Sequence, residues 1–135
     1  MPLQPLRRSS RGFTLVEVLV VMSLIVLLAG MGLTTYQNSV RRSREAVLKE
    51  DLFRMRDAID QYYADKNKYP ATLDALVSDG YLRAIPKDPF TDQTDWTTTP
   101  AEPDAQNPTA EPGIYDLHSA SEQTALDGSK YSEWE

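Results

Sequence analysis

The sequence of 135 residues predicts an α+β protein, in which a long N-terminal helix packs on a small C-terminal antiparallel sheet and loops. Three observations support this prediction. An apolar run of membrane-spanning length occupies residues 13–33, an amphipathic pattern of helical period follows it, and the remainder is rich in turn residues with one good strand candidate. The length suits one small folded unit with appendages.

Charge is distributed unevenly along the chain. Arg7, Arg8 and Arg11 lie among the first twelve residues without an acid, although the whole chain has a net charge of −6. From Asp65 onward there are fourteen acidic and five basic residues, so this half should repel phosphates and we expect no nucleic acid partner. The absence of cysteine and the single histidine, His118, disfavour thiol catalysis, thiolate zinc sites and His-pair metal sites.

The first element is a membrane-spanning helix. Residues 13–33 are apolar except for Glu17. At about 1.5 Å per residue, such a helix spans roughly the 30 Å hydrocarbon core of a bilayer. Because arginines precede the run, the positive-inside rule places the N-terminus in the cytoplasm and the rest of the chain across the membrane. Two simpler alternatives are a plain signal anchor and a signal peptide cleaved near residues 29–32.

Glu17 indicates a further role for this segment. A carboxylate inside a membrane helix costs about 2.5–3.5 kcal/mol at mid-bilayer and usually marks function. Cleavage between Gly12 and Phe13 would create an ammonium at a matching depth, and this ammonium could pair with Glu17 of a neighbouring subunit. A plain anchor has no use for such a pair.

The sequence RGFTLVE at residues 11–17, followed by an unbroken apolar run, resembles the class III signal of type IV pilins and type II secretion pseudopilins. The resemblance implies that a prepilin peptidase cleaves after Gly12 and methylates Phe13, while Glu17 guides subunit addition. One position departs from the family pattern, because Thr34 stands where a proline is usual. That proline normally kinks the helix and helps it to melt locally.

An amphipathic stem helix is predicted to continue without a break to about Asp65. Its apolar positions recur at spacings of seven, four and three: Val40, Val47, Leu48, Leu52, Met55, Ile59, Tyr62 and Tyr63. The opposite face is predicted to be solvated and charged: Arg41, Arg42, Arg44, Glu45, Lys49, Glu50, Asp51, Arg54, Arg56, Asp57 and Asp60. Two hypotheses remain open for Arg41, Arg42 and Arg44, namely intrahelical pairing and binding to acidic groups of adjacent subunits.

The exported part begins with a short helix. Residues 71–78 are predicted to be helical, with Thr72 as N-cap and Gly80 closing the helix. The YP pair at residues 69–70 and the segment GYLRAIPKDPF at residues 80–90 resemble the major pseudopilin of type II secretion. This second resemblance favours the secretion system over the pilus.

The C-terminal third is predicted to be mostly loop. Residues 91–112 are expected to form an exposed variable loop in which Trp96 has an ordinary packing role. Residues 113–118 are the best strand, in an antiparallel sheet of two or three strands. His118, at the end of this strand, is expected to lie at the surface or to form local hydrogen bonds.

The resemblance also implies a calcium ion, because major pseudopilins close their C-terminal loop around calcium and place a tryptophan, here Trp134, near the end. Oxygen ligands are the ones that calcium prefers. Residues 129–133 stand where the family usually has adjacent aspartates. The candidate ligands are the carbonyl of Leu117, Ser119, Glu122 and Asp127.

The predicted organisation has four parts. They are a cleaved basic leader at residues 1–12, a transmembrane assembly helix at 13–36, an amphipathic stem helix at 37–65, and a small exported domain at 66–135 with the variable loop 91–112. The resemblance implies a bacterial inner-membrane protein that crosses once, with its N-terminus in the cytoplasm and its C-terminal domain in the periplasm.

The function implied by the resemblance is mechanical and not enzymatic. Subunits would form a helical pseudopilus filament that drives protein export by a type II secretion system. The implied partners are further copies of the chain, minor pseudopilins, a prepilin peptidase and an inner-membrane assembly platform. The alternatives are a major or minor pilin of a type IV pilus, a membrane-anchored binding module that never polymerises, and an exported enzyme, for which the sequence offers no recognisable catalytic set.

Overall fold

The computed structural model describes Met1, residues 11–103 and residues 105–135. Most of the predicted leader, including Arg7 and Arg8, therefore lies outside the described residues. The elements, in order, are helix α1 (Leu15–Lys66), helix α2 (Leu73–Ser78), strand β1 (Thr97–Pro100), strand β2 (Ile114–His118) and a 3₁₀ turn (Tyr131–Glu133). The α+β class and the unbroken long helix are confirmed.

The chain divides into two compact units, and the first comprises Met1–Gln37. From residue 11 to residue 37 every side chain is exposed. Within the described part of the chain, α1 is the one helix long and apolar enough to cross a membrane, and its most apolar window has a mean hydropathy of 2.5. An apolar surface of this kind is expected of a segment that faces lipid or other helices.

The hydroxyl side chains of this unit bond within their own helix. Ser23 Oγ donates to the carbonyl of Leu19 at 2.8 Å. Thr34 Oγ1 and Thr35 Oγ1 donate to carbonyls four residues earlier, at 3.4 and 3.3 Å. Thr34, at the position where a proline is usual, thus sits in regular helix and keeps its backbone in the hydrogen-bonded ladder.

The second unit, Asn38–Glu135, holds the hydrophobic core. The stem helix, defined here as α1 from Asn38 onward, buries the predicted apolar positions Leu48, Leu52, Met55, Ile59 and Tyr62, and Ala58 with them. The prediction was wrong for Val47 and Tyr63, which are 48% and 41% exposed. Val47 directly precedes the buried Leu48, and Tyr63 directly follows the buried Tyr62. Neighbouring side chains on a helix differ in direction by about 100°, so these two point away from the core.

The end of α1 and the following helix agree with the sequence. Asn67 ends α1 in the left-handed conformation, with φ of 53°. Thr72 is the N-cap of α2, and its side chain accepts a hydrogen bond from the amide of Ala75 at 3.3 Å. Gly80 follows with φ of 83°, a value that glycine adopts without steric cost.

The sheet has two antiparallel strands, β1 and β2, and one of them was not predicted. β1 lies inside residues 91–112, where the sequence predicted only loop. Its residues TTTP include three β-branched threonines, which favour extended backbone, and all four are exposed, so no apolar alternation marked the strand. Trp96, immediately before β1, is buried as predicted, and its ring nitrogen donates to the carbonyl of Pro86 at 2.8 Å.

The rest of the core comes from short elements that pack on the stem helix. The buried apolar residues outside α1 are Leu76, Trp96, Leu117, Ala125, Tyr131 and Trp134. Two aromatic contacts organise the C-terminal end of this group. The ring of Tyr131 stacks on Phe90 with centroids 3.9 Å apart, and Trp134 meets Tyr131 edge-on at 5.0 Å.

Candidate functional site

The predicted processing site lies directly before helix α1. Residues 11–14 are not helical, and Thr14 Oγ1 accepts a hydrogen bond from the amide of Glu17 at 3.1 Å, which caps the first turn. Gly12 and Phe13 are therefore outside the helix and exposed, with Phe13 at 83%. A peptide bond in such a segment can be taken up by a peptidase without unwinding a helix.

The structure brings Phe13 and Glu17 to one side of the helix start. A shallow surface depression is lined by Phe13, Glu17, Val18, Val21 and Met22. Glu17 is the single carboxylate on this otherwise apolar surface. A carboxylate in the first turn also interacts favourably with the positive end of the helix dipole. The segment thus offers one carboxyl group at a defined position in the first turn of the helix.

The predicted calcium ligands lie at the end of β2 and in the C-terminal loop, defined here as residues 119–135. Each has a partner within the protein. Leu117 O accepts from Arg56 Nη2 at 3.0 Å, and Ser119 Oγ donates to the buried carboxylate of Asp88. Glu122 lies 3.7 Å from Lys130 Nζ, and Asp127 Oδ1 accepts from the amide of Ser129 at 2.9 Å.

Each candidate oxygen is thus already paired with a different group of the protein. Among the described residues there is also no cluster of three or more acidic, histidine or cysteine side chains suited to a metal. Calcium requires six to eight oxygen ligands, usually with several carboxylates. The residues present fit a calcium ion poorly, and the calcium site stays a prediction from the resemblance.

Arg56 forms the best connected polar contact of this region. Its Nε donates to Asp116 Oδ1 at 2.7 Å, and its Nη2 donates to the carbonyls of Leu117 and Trp134 at 3.0 and 2.9 Å. His118 lies beside it, with Nδ1 3.3 Å from Trp134 O, so its predicted role in local hydrogen bonding is confirmed. Arg56 therefore connects the stem helix, β2 and the end of the chain.

A second set of contacts comes from residues spaced by four along the stem helix, Arg41, Glu45 and Lys49, which we call the stem row. Glu45 Oε1 accepts from the amide of Leu126 at 2.9 Å and from Tyr131 Oη at 2.8 Å. Arg41 Nε donates to Tyr131 Oη at 3.2 Å, and its Nη2 donates to Thr124 O.

The remaining member, Lys49, lies with Nζ 4.8 Å from the ring centroid of Trp134. The prediction that the charged face is a solvated surface was therefore wrong for Arg41, Glu45 and Arg56, which are partly buried, whereas Lys49 is exposed as predicted. The spacing of four was a signal that could have found the row, because it places three charged side chains in one line along the helix. Arg54 and Glu50, in contrast, form the expected exposed pair at 2.8 Å.

Asp88 is the functional residue that sequence reasoning missed. It is fully buried and accepts hydrogen bonds from Ser119 Oγ and, at 2.8 Å, from the amide of Phe90. Ser119 Oγ in turn accepts from the amide of Ser121 at 3.1 Å. Asp88 thus fixes the start of the C-terminal loop to the segment at residues 80–90, which carried the resemblance to the major pseudopilin.

These contacts alter the acidity of the groups that form them. Burial, together with the hydrogen bond to Glu45, raises the pKa of the Tyr131 hydroxyl. The hydrogen bonds that Ser129 donates from its hydroxyl and its amide hold the pKa of Asp127 below its usual value. Asp127 is therefore a carboxylate at neutral pH and is already supplied with donors.

A comparison with known proteins places the sequence in a family. A family model described as the prokaryotic N-terminal methylation motif matches residues 7–33. The type II secretion system core protein G of Klebsiella michiganensis is 30% identical over 100 residues, which cover 62% of this chain and 70% of that protein. The chain belongs to the type II secretion system core protein G family.

Other relatives extend this assignment. The core protein G of Pseudomonas aeruginosa is 32% identical over 100 residues, with the same coverage of both chains. The fimbrial protein EcpC of Eikenella corrodens is 35% identical over 85 residues, which cover 59% of this chain and 56% of that protein. No solved structure matches the chain. In this member of the core protein G family, Gly12, Phe13 and Glu17 all lie within the matched methylation motif.

Proposed function

We propose that this chain is a prepilin-class precursor that is cut between Gly12 and Phe13 and then polymerises as the structural subunit of a helical pseudopilus. The filament would drive protein export by a type II secretion system. The observation that carries the proposal is the methylation motif at residues 7–33, in which an exposed Gly12–Phe13 bond lies directly before a capped apolar helix. The role is mechanical and involves no catalysis.

Cleavage would convert Phe13 from an internal residue into a positively charged N-terminus beside Glu17. A carboxylate in the bilayer costs about 2.5–3.5 kcal/mol when it has no partner. Packing against a neighbour that offers its Phe13 ammonium removes this cost, so Glu17 selects both the partner and the depth at which it packs. The apolar residues around it supply cohesion between helices.

The same proposal includes a location and partners. The precursor crosses the inner membrane once, with its basic N-terminus in the cytoplasm and the unit Asn38–Glu135 in the periplasm. A prepilin peptidase would process it, an inner-membrane assembly platform would add it to the filament, and minor pseudopilins would accompany it. Names of relatives and the apolar helix support this proposal.

The first test is the mass and N-terminal sequence of the chain, purified from membranes of cells that contain a prepilin peptidase. We expect a chain that begins at methylated Phe13. Gly12→Val should leave the precursor intact, whereas Gly32→Val, at another glycine with open space around it, should still be processed. A wild-type chain that begins at Met1, or near Gly30, would refute the proposal.

The second test separates processing from assembly. Glu17→Gln removes the charge while keeping the shape, so we expect normal cleavage but loss of filaments and of secretion. The control is Glu50→Gln, since Glu50 is exposed and pairs only with its helical neighbour Arg54. A Glu17→Gln subunit that polymerises like wild type would contradict the role of Glu17 in assembly, whereas a wild-type chain that forms no filaments would favour a membrane-anchored module.

A pilin of a type IV pilus is the second candidate, because the fimbrial protein EcpC is also similar to the chain. The two candidates differ in the machine that the subunit serves. Under our proposal, expression of this chain should restore secretion in a bacterial strain that lacks its own core protein G. Restoration of pili in a pilin-deficient strain, without restoration of secretion, would favour the second candidate.

A further inference from the structure

We propose that the C-terminal loop is fixed to the stem helix by Arg56, Arg41 and Glu45, and that it needs no bound calcium. This inference concerns residues 119–135 and is independent of the proposed filament function. It arises from the disagreement between the calcium ion that the resemblance implies and the contacts of the candidate ligands. Groups of the protein already pair with all four candidate ligands, and the groups paired with Leu117 O and Glu122 are cationic.

The carbonyl of Leu117 is the strand-end oxygen predicted to bind calcium. Leu117 is fully buried, and Arg56 Nη2 donates to its carbonyl at 3.0 Å. The same nitrogen donates to Trp134 O at 2.9 Å, so a guanidinium already connects the strand end with the last residues of the chain. A fixed positive charge is thus present where a bound cation would bridge these two segments.

Two members of the stem row, Arg41 and Glu45, hold the middle of the loop. Glu45 Oε1 receives hydrogen bonds from the amide of Leu126 and from the hydroxyl of Tyr131. Arg41 donates to the same hydroxyl and to the carbonyl of Thr124. Tyr131 is completely buried, so these contacts position a core residue as well as the backbone of the loop.

The charged side chains around the C-terminal loop also disfavour a bound cation. The loop provides the two candidate carboxylates, and each is engaged elsewhere: Glu122 pairs with Lys130, and Asp127 accepts from Ser129. Three cationic side chains of the stem helix contact the loop, namely Arg41, Lys49 and Arg56, and Lys130 belongs to the loop itself. A divalent cation added among them would meet repulsion with few free carboxylate oxygens in return.

The decisive experiment uses the full chain in detergent micelles, with thermal unfolding followed by tryptophan fluorescence in 1 mM CaCl₂ and in EGTA. We expect the same midpoint in both solutions. A calcium ion bound with micromolar affinity would raise the midpoint by more than about 10 °C at this concentration. Such a rise would overturn the inference, and this measurement requires no variant to fold.

A second measurement tests the contacts themselves. Lys130 is about half exposed, so trypsin cleavage after it reports how firmly the loop is held. We expect Glu45→Ala, which removes the acceptor oxygen, to accelerate this cleavage several-fold without rescue by calcium, while Glu50→Ala cleaves at the wild-type rate. Cleavage of Glu45→Ala at the wild-type rate, or protection by calcium, would contradict the inference.

Discussion

Arg56→Met is the substitution that tests the described architecture most directly. Methionine keeps the helix propensity and much of the aliphatic stem of arginine, so the change removes mainly the guanidinium. The group lost donates to Asp116 Oδ1, Leu117 O and Trp134 O, at 2.7, 3.0 and 2.9 Å. Its removal takes a donor from the carbonyl of the buried Leu117, and it leaves Asp116 Oδ1 with the amide of Leu117, at 2.7 Å, as its remaining donor.

The size of the effect follows from burial. The side chains of Arg56 and Asp116 are 24% and 26% exposed, so water screens the pair only in part. An unsatisfied buried acceptor costs about 1–3 kcal/mol, and loss of the ion pair adds to this. We therefore expect the free energy of unfolding to fall by about 2–4 kcal/mol, and the midpoint to fall by roughly 8–30 °C for a folded unit near 100 residues.

The assay is urea and thermal unfolding of the full chain in micelles, followed by the fluorescence of Trp96 and Trp134, both of which are buried. Arg54→Met is the matched control, two positions away on the same helix. Arg54 is 65% exposed and forms an i, i+4 pair, so its loss should cost only about 0.3–0.5 kcal/mol. Equal destabilisation by the two substitutions would refute the assigned role of Arg56.

Two further predictions concern the start of β2 and the C-terminal loop. Gly113→Ala would place a Cβ 2.5 Å from the backbone oxygen of Tyr69, so we expect a lower unfolding midpoint than for Gly12→Ala, where the space is open; equal midpoints would contradict this close approach. The pKa of Asp127 is lower in the folded protein than the ordinary aspartate value of 3.8. Its contribution to stability is therefore complete above pH 3.8 and is lost as the pH falls through the lower pKa of the folded state. In urea titrations between about pH 6 and 2.5, Asp127→Asn should show a shallower loss of stability on the acid side, and an unchanged slope would contradict the assignment.

Much of the fold was predictable because two periodic patterns dominate the chain. The apolar run and the helical spacing of Leu48, Leu52 and Met55 fixed the course of α1, since few other structures bury such a pattern. Thr72 and Gly80 marked α2 for a local reason, the chemistry of helix ends. These signals involve residues close in sequence.

The contacts that position the C-terminal loop were not predictable in the same way. Arg41 and Thr124 are separated by 83 residues, and Asp88 and Ser119 by 31, so no local pattern links the partners. A charged residue on a helix usually faces water, and the sequence alone cannot show which strand end or loop covers it. β1 escaped prediction because its exposed threonines form a strand only in the presence of β2.

The hydroxyl groups of the apolar segment need no hydrogen-bond partner from the surroundings of the helix. Ser23, Thr34 and Thr35 each donate to a carbonyl of their own helix, so their hydrogen bonds travel with them. The transfer from lipid into a packed bundle that the proposed function requires would leave those bonds intact, and between residues 15 and 35 Glu17 is the one polar side chain without such a bond to a carbonyl of its own helix. If the chain assembles as proposed, Glu17 would therefore account for most of the change in polar contacts when a subunit leaves the bilayer.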